Sequence, residues 1–450
     1  MNYAGKKVAV IGLAVSNTPL IRYLIQQNAQ VSVFDKKTAQ DLEGYLSQLA
    51  TLPLELHLGE DYLSYLTGYE YIFLTPGIKK DLPELKKARN NGAIFSSEME
   101  IFLQNCPGFI FGITGSSGKT TTTTLTNLMI SSHYPETFVG GNIGRSLIDE
   151  LPKMNTAAKV VLELSSFQLQ ELKQSPNLAV ITNITPNHLD IHASMEEYIL
   201  AKSNILSYQS LSDLAILNYD QEVTRKLNEL VKGRLYYFSR NNKLDEGAFL
   251  DGERLIIKIN GETEVLTTRE KLKLLGDHNV DNILVAALIG RLAGVPLENL
   301  REIAESFTGV EHRLELVREL NGVLYYNDSI STTPDRAIAG LRAMTKPTIL
   351  IAGGYDKKLP FDEFAAVVVK SCRHLVVLGV TAAQIIQAVQ AVQPDFSITQ
   401  VASLQEAVAT AKSLAKDEEV VLLSPACASY DMFKDYQERG KLFKELVRAL

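Results

Sequence analysis

Phe109-Ile-Phe-Gly-Ile-Thr-Gly-Ser-Ser-Gly-Lys119-Thr-Thr-Thr-Thr-Thr124 is the stretch that decides the fold. Phe109 to Ile113 is an apolar run rich in aromatic and β-branched residues, which reads as a buried strand. Gly115 and Gly118 then allow tight backbone turns before a polar run that opens a helix. Strand, glycine loop and helix in that order make an anion site. Backbone N–H groups converge in the loop, the helix N-terminus adds partial positive charge, Lys119 reaches terminal phosphates, and the Thr120 hydroxyl is placed to hold Mg²⁺. The general pattern G-x-x-x-x-G-K-[ST] is missed by one residue, because Ile113 stands five before Gly118 and Gly112 one further back. The tight core Gly115-x-x-Gly118-Lys119-Thr120 is intact. A surface turn before a helix is the bland alternative, and the strand in front of the loop argues against it. Thr120 to Thr124 are poor helix formers, so packing or bound phosphate must hold that first turn.

The 450 residues exceed one ordinary core and imply about three domains. Hydrophobic content of 46% and charged content of 22% belong to a soluble globular chain. A formal net charge of −7 gives no general attraction to nucleic acid or to anionic lipid, so a phosphate site must be local and fits a small nucleotide better than a polynucleotide. Cys106, Cys372 and Cys427 are too few and too scattered for a disulfide framework or a zinc site, which points to a reducing cytoplasm. The apolar run Val8 to Val15 is short and opens into a helix start at Asn17-Thr18-Pro19, unlike a signal peptide. No stretch has the length of apolar residues that spans a bilayer.

Around the glycine loop the chain alternates strands and helices, the pattern of α/β domains with parallel sheets. Lys7 to Ile11 is a strand entering a glycine turn, followed by a helix from about Thr18 and a strand Gln30 to Asp35, a Rossmann-like unit ending in an acid. Its fingerprint is Gly12-Leu-Ala14-Val-Ser-Asn17 with only the first glycine kept, which disfavours a nicotinamide cofactor. Tyr71 to Ile78 is a further strand ending in a Pro-Gly turn, Gly92 to Phe95 is another, and a domain boundary falls near residue 97. Lys159 to Ser166 and Leu178 to Asn183 are continuous apolar runs of the buried parallel kind, both ending in polar residues. Glu163 lies inside the first, where an ionised carboxylate needs a cation or metal. Ligands gather beyond the carboxyl ends of such strands, so the glycine loop, Glu163 and the segment Asn183 to His192 should converge. His188 reads by itself as a hydrogen-bonding residue, or as a ligand beside a phosphate loop. Lys202, on a helix from Met195 to Leu206, reads by itself as part of a solvated face. Asn260-Gly261 marks a hairpin. Asn279 and Asn282 share a helical face and either cap the helix or read a base edge, capping being the simpler reading.

From about Val310 a second alternation begins, with strands Gly322 to Tyr326, Thr348 to Ala352, Leu375 to Leu378 and Glu419 to Leu423. Their exits carry Asn327-Asp328-Ser329, Gly353-Gly354-Tyr-Asp-Lys357-Lys358 and Ser424 to Ser429, three polar groups expected on one sheet edge.

As an ordered set, Thr114 to Thr120, Glu163-Leu-Ser-Ser-Phe-Gln168, Asn183 to His192, Gly276 to Asn282, His312-Arg313, Asn327-Asp328-Ser329 and Ser424 to Phe433 resemble the motifs of the Mur ligases over essentially the whole chain. The resemblance implies a Rossmann-like UDP-substrate domain over 1–97, a central ATP-binding domain of phosphate-loop type over 98–309 and a Rossmann-like amino-acid domain over 310–450. It implies ATP-driven amide synthesis in the cytoplasmic phase of peptidoglycan assembly, with D-glutamate joined to UDP-N-acetylmuramoyl-L-alanine by way of an acyl phosphate. The partners would then be small molecules, with no nucleic acid and no membrane, and the enzyme a monomer. ATP would meet Gly115, Ser116, Ser117, Gly118, Lys119, Thr120, Thr121, Asn279, Asn282, Arg313 and Asp328, the last two from the third domain. Thr120, Glu163, His188 and a carbamylated Lys202 would serve Mg²⁺, with Lys119, His188 and Lys202 the catalytic set. The family reading thus replaces the solvated one at Lys202. The UDP-substrate would touch Val15, Ser16, Asp35, Gly77 and Asn142. The amino acid would touch Thr332, Lys357, Ser429, Tyr430 and Tyr436.

The sequence departs from the family pattern at Ile330, where many members have lysine, so that a positive charge is missing that Lys357 or Lys358 would have to supply. Tyr436 stands where some relatives have phenylalanine, and Asn187 where aspartate is frequent. Alternatives are another Mur or folylpolyglutamate-type ligase, a phosphate-loop switch protein and, more distantly, a Rossmann oxidoreductase.

Overall fold

A computed structural model gives the structure, which describes residues 2–14, 16–76, 78–143, 146–186, 192, 194–274, 276–357 and 359–450. The chain divides into two compact units, Met1–Phe307 and Thr308–Leu450.

The first unit holds two sheets. In spatial order the smaller one is Glu55–Leu58, Gln30–Asp35, Lys7–Ile11, Tyr71–Leu74 and Ile94–Ser96, all parallel. Lys7–Ile11 has neighbours on both sides and is buried from Val8 onward, which is why it reads as a continuous apolar run. Chain order reverses between Lys7–Ile11 and Tyr71–Leu74, and a ligand crevice forms where such a sheet reverses. The exits of those two strands lead to Gly12, Leu13, Ala14 and Ser16, and to Thr75, Pro76 and Ile78.

The larger sheet has nine strands in the order Glu262–Thr268, Arg254–Ile259, Gly247–Asp251, Arg234–Ser239, Leu214–Asn218, Leu178–Ile181, Phe109–Thr114, Lys159–Glu163 and Thr137–Gly141. The glycine-loop strand sits between the two runs that carry Glu163 and Asn183, paired in parallel with both. The hairpin expected at Asn260-Gly261 is present, both residues having positive φ, as a two-residue hairpin turn requires. One apolar core runs through both sheets: Val8, Val10 and Phe73 belong to the same cluster as Val160, Leu162 and Tyr198. The helix Glu98–Asn105 supplies Ile101 and Phe102 to it and is capped by the Ser97 hydroxyl.

The second unit is a six-stranded sheet in the order Glu315–Leu320, Val323–Asn327, Val420–Leu423, Thr348–Ala352, Cys372–Val377 and Ile398–Gln400. Only the edge strand Glu315–Leu320 is antiparallel. Two apolar clusters, one containing Phe364 and Ile385 and the other Phe443 and Val408, account for separate layers of helices. The three polar strand exits are neighbours, as expected, because Val420–Leu423 lies between the other two strands. Among the described residues, no helix is long and apolar enough to cross a membrane.

Candidate active site

The apolar strand stops at Thr114, and the loop to the helix Lys119–Ser131 is tied down on all sides. Ser116 N donates to Asn183 O at 2.9 Å, and Ser117 N donates to Asn183 Oδ1 at 2.9 Å while Asn183 Nδ2 donates to Ser117 O at 3.0 Å. The Ser116 hydroxyl donates to Thr185 O at 2.9 Å and lies 3.0 Å from the Tyr198 hydroxyl. Gly118 precedes the helix at φ +78°, a conformation that costs any residue with a Cβ about 1–2 kcal/mol. Gly118 has no side chain with which to cap this helix start, an arrangement that suits an anion. Lys119 Nζ donates to Gly115 O at 2.9 Å and Ser116 O at 3.1 Å, which folds the amine over the loop. Thr120 and Thr121 are half-buried, whereas Thr122, Thr123 and Thr126 are fully buried, and this packing holds a first turn that propensity disfavours.

Two ionisable groups from neighbouring elements meet the loop. Glu163, at the end of its strand, is buried; Oε1 accepts from Asn142 Nδ2 at 2.8 Å, and Oε2 has no hydrogen-bond partner among the described residues. Lys202 is 1% exposed, which rules out the solvated face that its lone position on a helix suggested. Its Nζ donates to Gly115 O at 2.8 Å and lies 4.7 Å from the centre of the Tyr198 ring. Burial, with a smaller push from the Lys119 charge, brings the Lys202 amine down to about 7, and Glu163 only partly opposes it. An amine in that range is half neutral near physiological pH and nucleophilic. Val15, Gly77 and His188 lie outside the described residues.

Asn279 and Asn282 do not cap their helix. It runs Asp277–Leu292 with Gly276 before it and no side-chain cap, so both amides are interior. Asn282 Oδ1 accepts from the Thr122 hydroxyl at 3.1 Å, and its Nδ2 donates to Asn279 Oδ1 at 2.9 Å. The pair thus buttresses the start of the glycine-loop helix. Spacing alone missed this because the partner is Thr122, distant in sequence.

At the exits of the smaller sheet, Asp35 spends both oxygens on main chain, accepting from Leu13 N at 2.7 Å and Lys37 N at 2.9 Å. Ser16 is the residue before the helix Asn17–Gln26 and makes no side-chain cap. Asn17 Nδ2 donates to Gly12 O at 2.7 Å and to Thr75 Oγ1 at 2.9 Å, which joins the two crevice loops.

In the second unit Asp328 is buried, with Oδ2 accepting from Ser331 Oγ at 2.6 Å and Ser424 Oγ at 2.7 Å and Oδ1 from Leu314 N at 3.2 Å. Burial nevertheless raises it to about 6. Arg313 contributes a smaller opposing charge. Lys357 Nζ donates to Thr332 Oγ1 at 3.3 Å, bringing together two residues assigned to the amino acid. Burial lowers the Lys357 amine, helped by the Arg336 and Arg439 charges. Ser429 is buried, Tyr430 is exposed with its ring edge-on to Tyr355, and the Tyr436 ring is edge-on to His312. Sequence reading missed Arg439. Only 2% exposed, it donates Nε–H to Ser329 Oγ at 3.0 Å and its terminal N–H groups to Ser329 O, Cys427 O and Ala428 O. One guanidinium thereby pins two of the strand exits, and no sequence signal links residue 439 to them. Tyr198 was missed as a loop partner too, although it stands four before Lys202 on one helical face, whereas Asn183 meets the loop as its position at a strand exit led one to expect.

Parallel sheets, a strand–glycine loop–helix and a buried acid and lysine beside the loop define an α/β protein of the nucleotide-dependent ligase kind. The comparisons narrow this. The chain matches the models of the Mur ligase MurD-like N-terminal domain over residues 6–96, the Mur ligase middle domain over 113–290 and the Mur ligase glutamate ligase domain over 312–427. It is 45% identical over 99% of its length to a UDP-N-acetylmuramoylalanine–D-glutamate ligase of Acetivibrio thermocellus, 97% of which is covered. The figure is 46% for the protein of that name from Clostridium novyi, at the same coverage. The fold resembles UDP-N-acetylmuramate-alanine ligase MurC from Thermotoga maritima, with TM-score 0.55, 19% identity and 99% of each chain covered. It also resembles MurF from Acinetobacter baumannii, with TM-score 0.56, 16% identity, 86% of this chain and 92% of that one. The chain belongs to the Mur ligase family, and its architecture is the three-domain α/β fold of that family.

Proposed function

We propose that this enzyme is the ligase that joins D-glutamate to UDP-N-acetylmuramoyl-L-alanine at the expense of ATP, in the cytoplasmic synthesis of peptidoglycan precursors. The observation that carries the reading is the near-full-length likeness, at 45–46% identity, to proteins named for that reaction. The geometry supports it. A carboxylate is a poor acyl donor, so one of its oxygens attacks the γ-phosphorus of ATP, ADP leaves, and an acyl phosphate results. The glutamate amine then attacks the acyl carbon, phosphate departs with the C–O bond electrons, and the amine loses its proton. In this reading the loop N–H groups of Ser116 to Thr120 hold the nucleotide phosphates, and Lys119 leaves the Gly115 and Ser116 carbonyls to neutralise the transferring phosphoryl group.

The buried Glu163 oxygen without a hydrogen-bond partner fits a hard cation. Thr120 and Glu163 would hold Mg²⁺, with His188 and a carbamylated Lys202 serving a second ion; Mg²⁺ supplies charge neutralisation at the phosphates. Carbamylation converts the Lys202 amine and CO₂ into a carbamate and a proton, which the lowered basicity of that amine favours. We assign Asn279, Asn282, Arg313 and Asp328 to ATP, Ser16, Asp35 and Asn142 to the UDP-substrate, and Thr332, Lys357, Ser429, Tyr430 and Tyr436 to D-glutamate. Residues 1–97, 98–309 and 310–450 are taken as the corresponding domains, and the enzyme as a monomer. The test is ADP formation from ATP, Mg²⁺ and UDP-N-acetylmuramoyl-L-alanine with D- or L-glutamate: turnover confined to the D-amino acid is expected, and ADP release independent of acceptor and glutamate would refute the reading.

A further inference from the structure

Lys80 follows the strand Tyr71–Leu74 of the smaller sheet and has unusual surroundings. The Lys80 side chain is only 20% exposed, and its Nζ donates to Gln170 Oε1 at 3.0 Å. The nearest carboxylate oxygen, on Glu171, is 4.0 Å away and is itself engaged at 2.9 Å by Arg89. Lys80 therefore rests on a neutral amide. Gln170 in turn donates Nε2–H to Glu197 Oε1 at 3.0 Å. A primary amide is the side chain that meets an ammonium on its oxygen and a carboxylate on its nitrogen with both ends satisfied, and turning it over would set N–H against ammonium. Glu197 lies in the first turn of the helix Met195–Ser207, which carries Tyr198 and Lys202. The same Glu197 oxygen is 3.9 Å from His192 Nδ1, and His192 Nε2 is 3.0 Å from Ser166 Oγ, three residues beyond Glu163. His192 is fully buried and stacks on Phe167, so that end of the chain of contacts is rigid. Asn204 of the same helix donates to the carbonyls of Leu169 and Gln170, which fixes the backbone that presents the amide.

We propose that Lys80 is a positioning residue for the acceptor: through Gln170 and Glu197 it fixes its own segment, beyond the strand Tyr71–Leu74, against the helix that bears Lys202. The inference rests on the ligase reading, in which the UDP-linked acid lies along the smaller sheet's crevice and its carboxylate must meet the nucleotide at the glycine loop. Fixing the two ends of one extended substrate relative to each other is worth rate as well as affinity, because small misplacements of reacting atoms are costly. The burial of Lys80, which lowers its amine, fits a cation held for geometry.

The experiment is steady-state kinetics with acceptor, ATP and D-glutamate varied in turn. Lys80→Met and Gln170→Met should each lower kcat/KM for the acceptor about tenfold while leaving KM for ATP within about twofold, and the double variant should lose no more than either alone. Lys80→Arg, which keeps a cation on the amide, should retain most of the acceptor kcat/KM. Arg89→Met, which breaks the pair with Glu171 and the guanidinium's contact with the Phe95 ring but leaves Lys80–Gln170 intact, should leave acceptor kinetics unchanged. Additive losses, equal effects on ATP and acceptor, or wild-type kinetics in Lys80→Met would overturn the relay. A wild-type protein that makes no ADP with acceptor and D-glutamate would instead sink the ligase reading.

Discussion

Substituting alanine at Gly118 tests how the glycine loop is built. The new Cβ would stand 2.4 Å from Asn282 Oδ1, with φ at +78°. Strain in the left-handed region costs about 1–2 kcal/mol. The contact cannot be relieved by a swinging side-chain tip, because Asn282 is buried and bonded to Thr122 and Asn279. Moving it sacrifices those two hydrogen bonds, at about 0.5–1.5 kcal/mol each. The sum, about 2–5 kcal/mol, should appear as a lower midpoint for urea unfolding of the first unit, and KM for ATP should rise about tenfold or more. The strain belongs to Gly118 alone, but the collision needs both residues. Asn282→Ala should therefore suppress part of the damage, with a coupling energy of at least about 1 kcal/mol in the double-mutant cycle. Wild-type stability and ATP affinity in Gly118→Ala, or strictly additive losses in the pair, would refute this account of the loop.

Lys119→Ala should abolish turnover while leaving the melting temperature nearly unchanged, since the Nζ contacts are to carbonyls at a partly open surface; near-normal ADP formation would contradict its role. Lys202→Ala should be inactive and partly rescued by short-chain carboxylates such as acetate, and wild-type activity should fall in CO₂-depleted buffer as the pH drops below about 7, where the amine is protonated. Glu98 is buried against the Ser146 hydroxyl and pushed up to about 7, above the value of about 4.5 for an exposed glutamate. A raised acid contributes its stability at low pH and loses it as pH climbs through the folded value, so Glu98→Gln should raise the melting temperature at pH 8 and change it little at pH 5. An equal effect at both pH values would show that the carboxyl stays ionised in the folded protein.

Much of the fold was legible because local signals and tertiary demands agree. The run Phe109 to Ile113 is apolar on both faces, as a central parallel strand must be, and the strand found there extends it only by Thr114. The helix Leu404–Leu414 is of the same legible kind, with a serine cap and an apolar stripe of Leu404, Ala407, Val408 and Ala411. Glu315–Leu320 was not read as a strand, since it is an edge strand with alternating charges and takes its shape from pairing with Val323–Asn327. Thr137–Gly141 was missed for a similar reason: its two glycines dilute the strand pattern, and it stands at the sheet edge. At the site, residue types next to the loop could be read, but partners distant in sequence could not. Nothing in Asn282 announces Thr122, and nothing in Lys202 alone announces burial; the family motif supplied what spacing could not.

Arg439 has a practical consequence. It sits in the terminal helix Tyr436–Ala449, yet its hydrogen bonds end on Ser329, Cys427 and Ala428. That helix is therefore a fastener for two of the sheet's polar strand exits. A protease nick after the exposed Lys434 that released this helix would unbutton both strand exits at once.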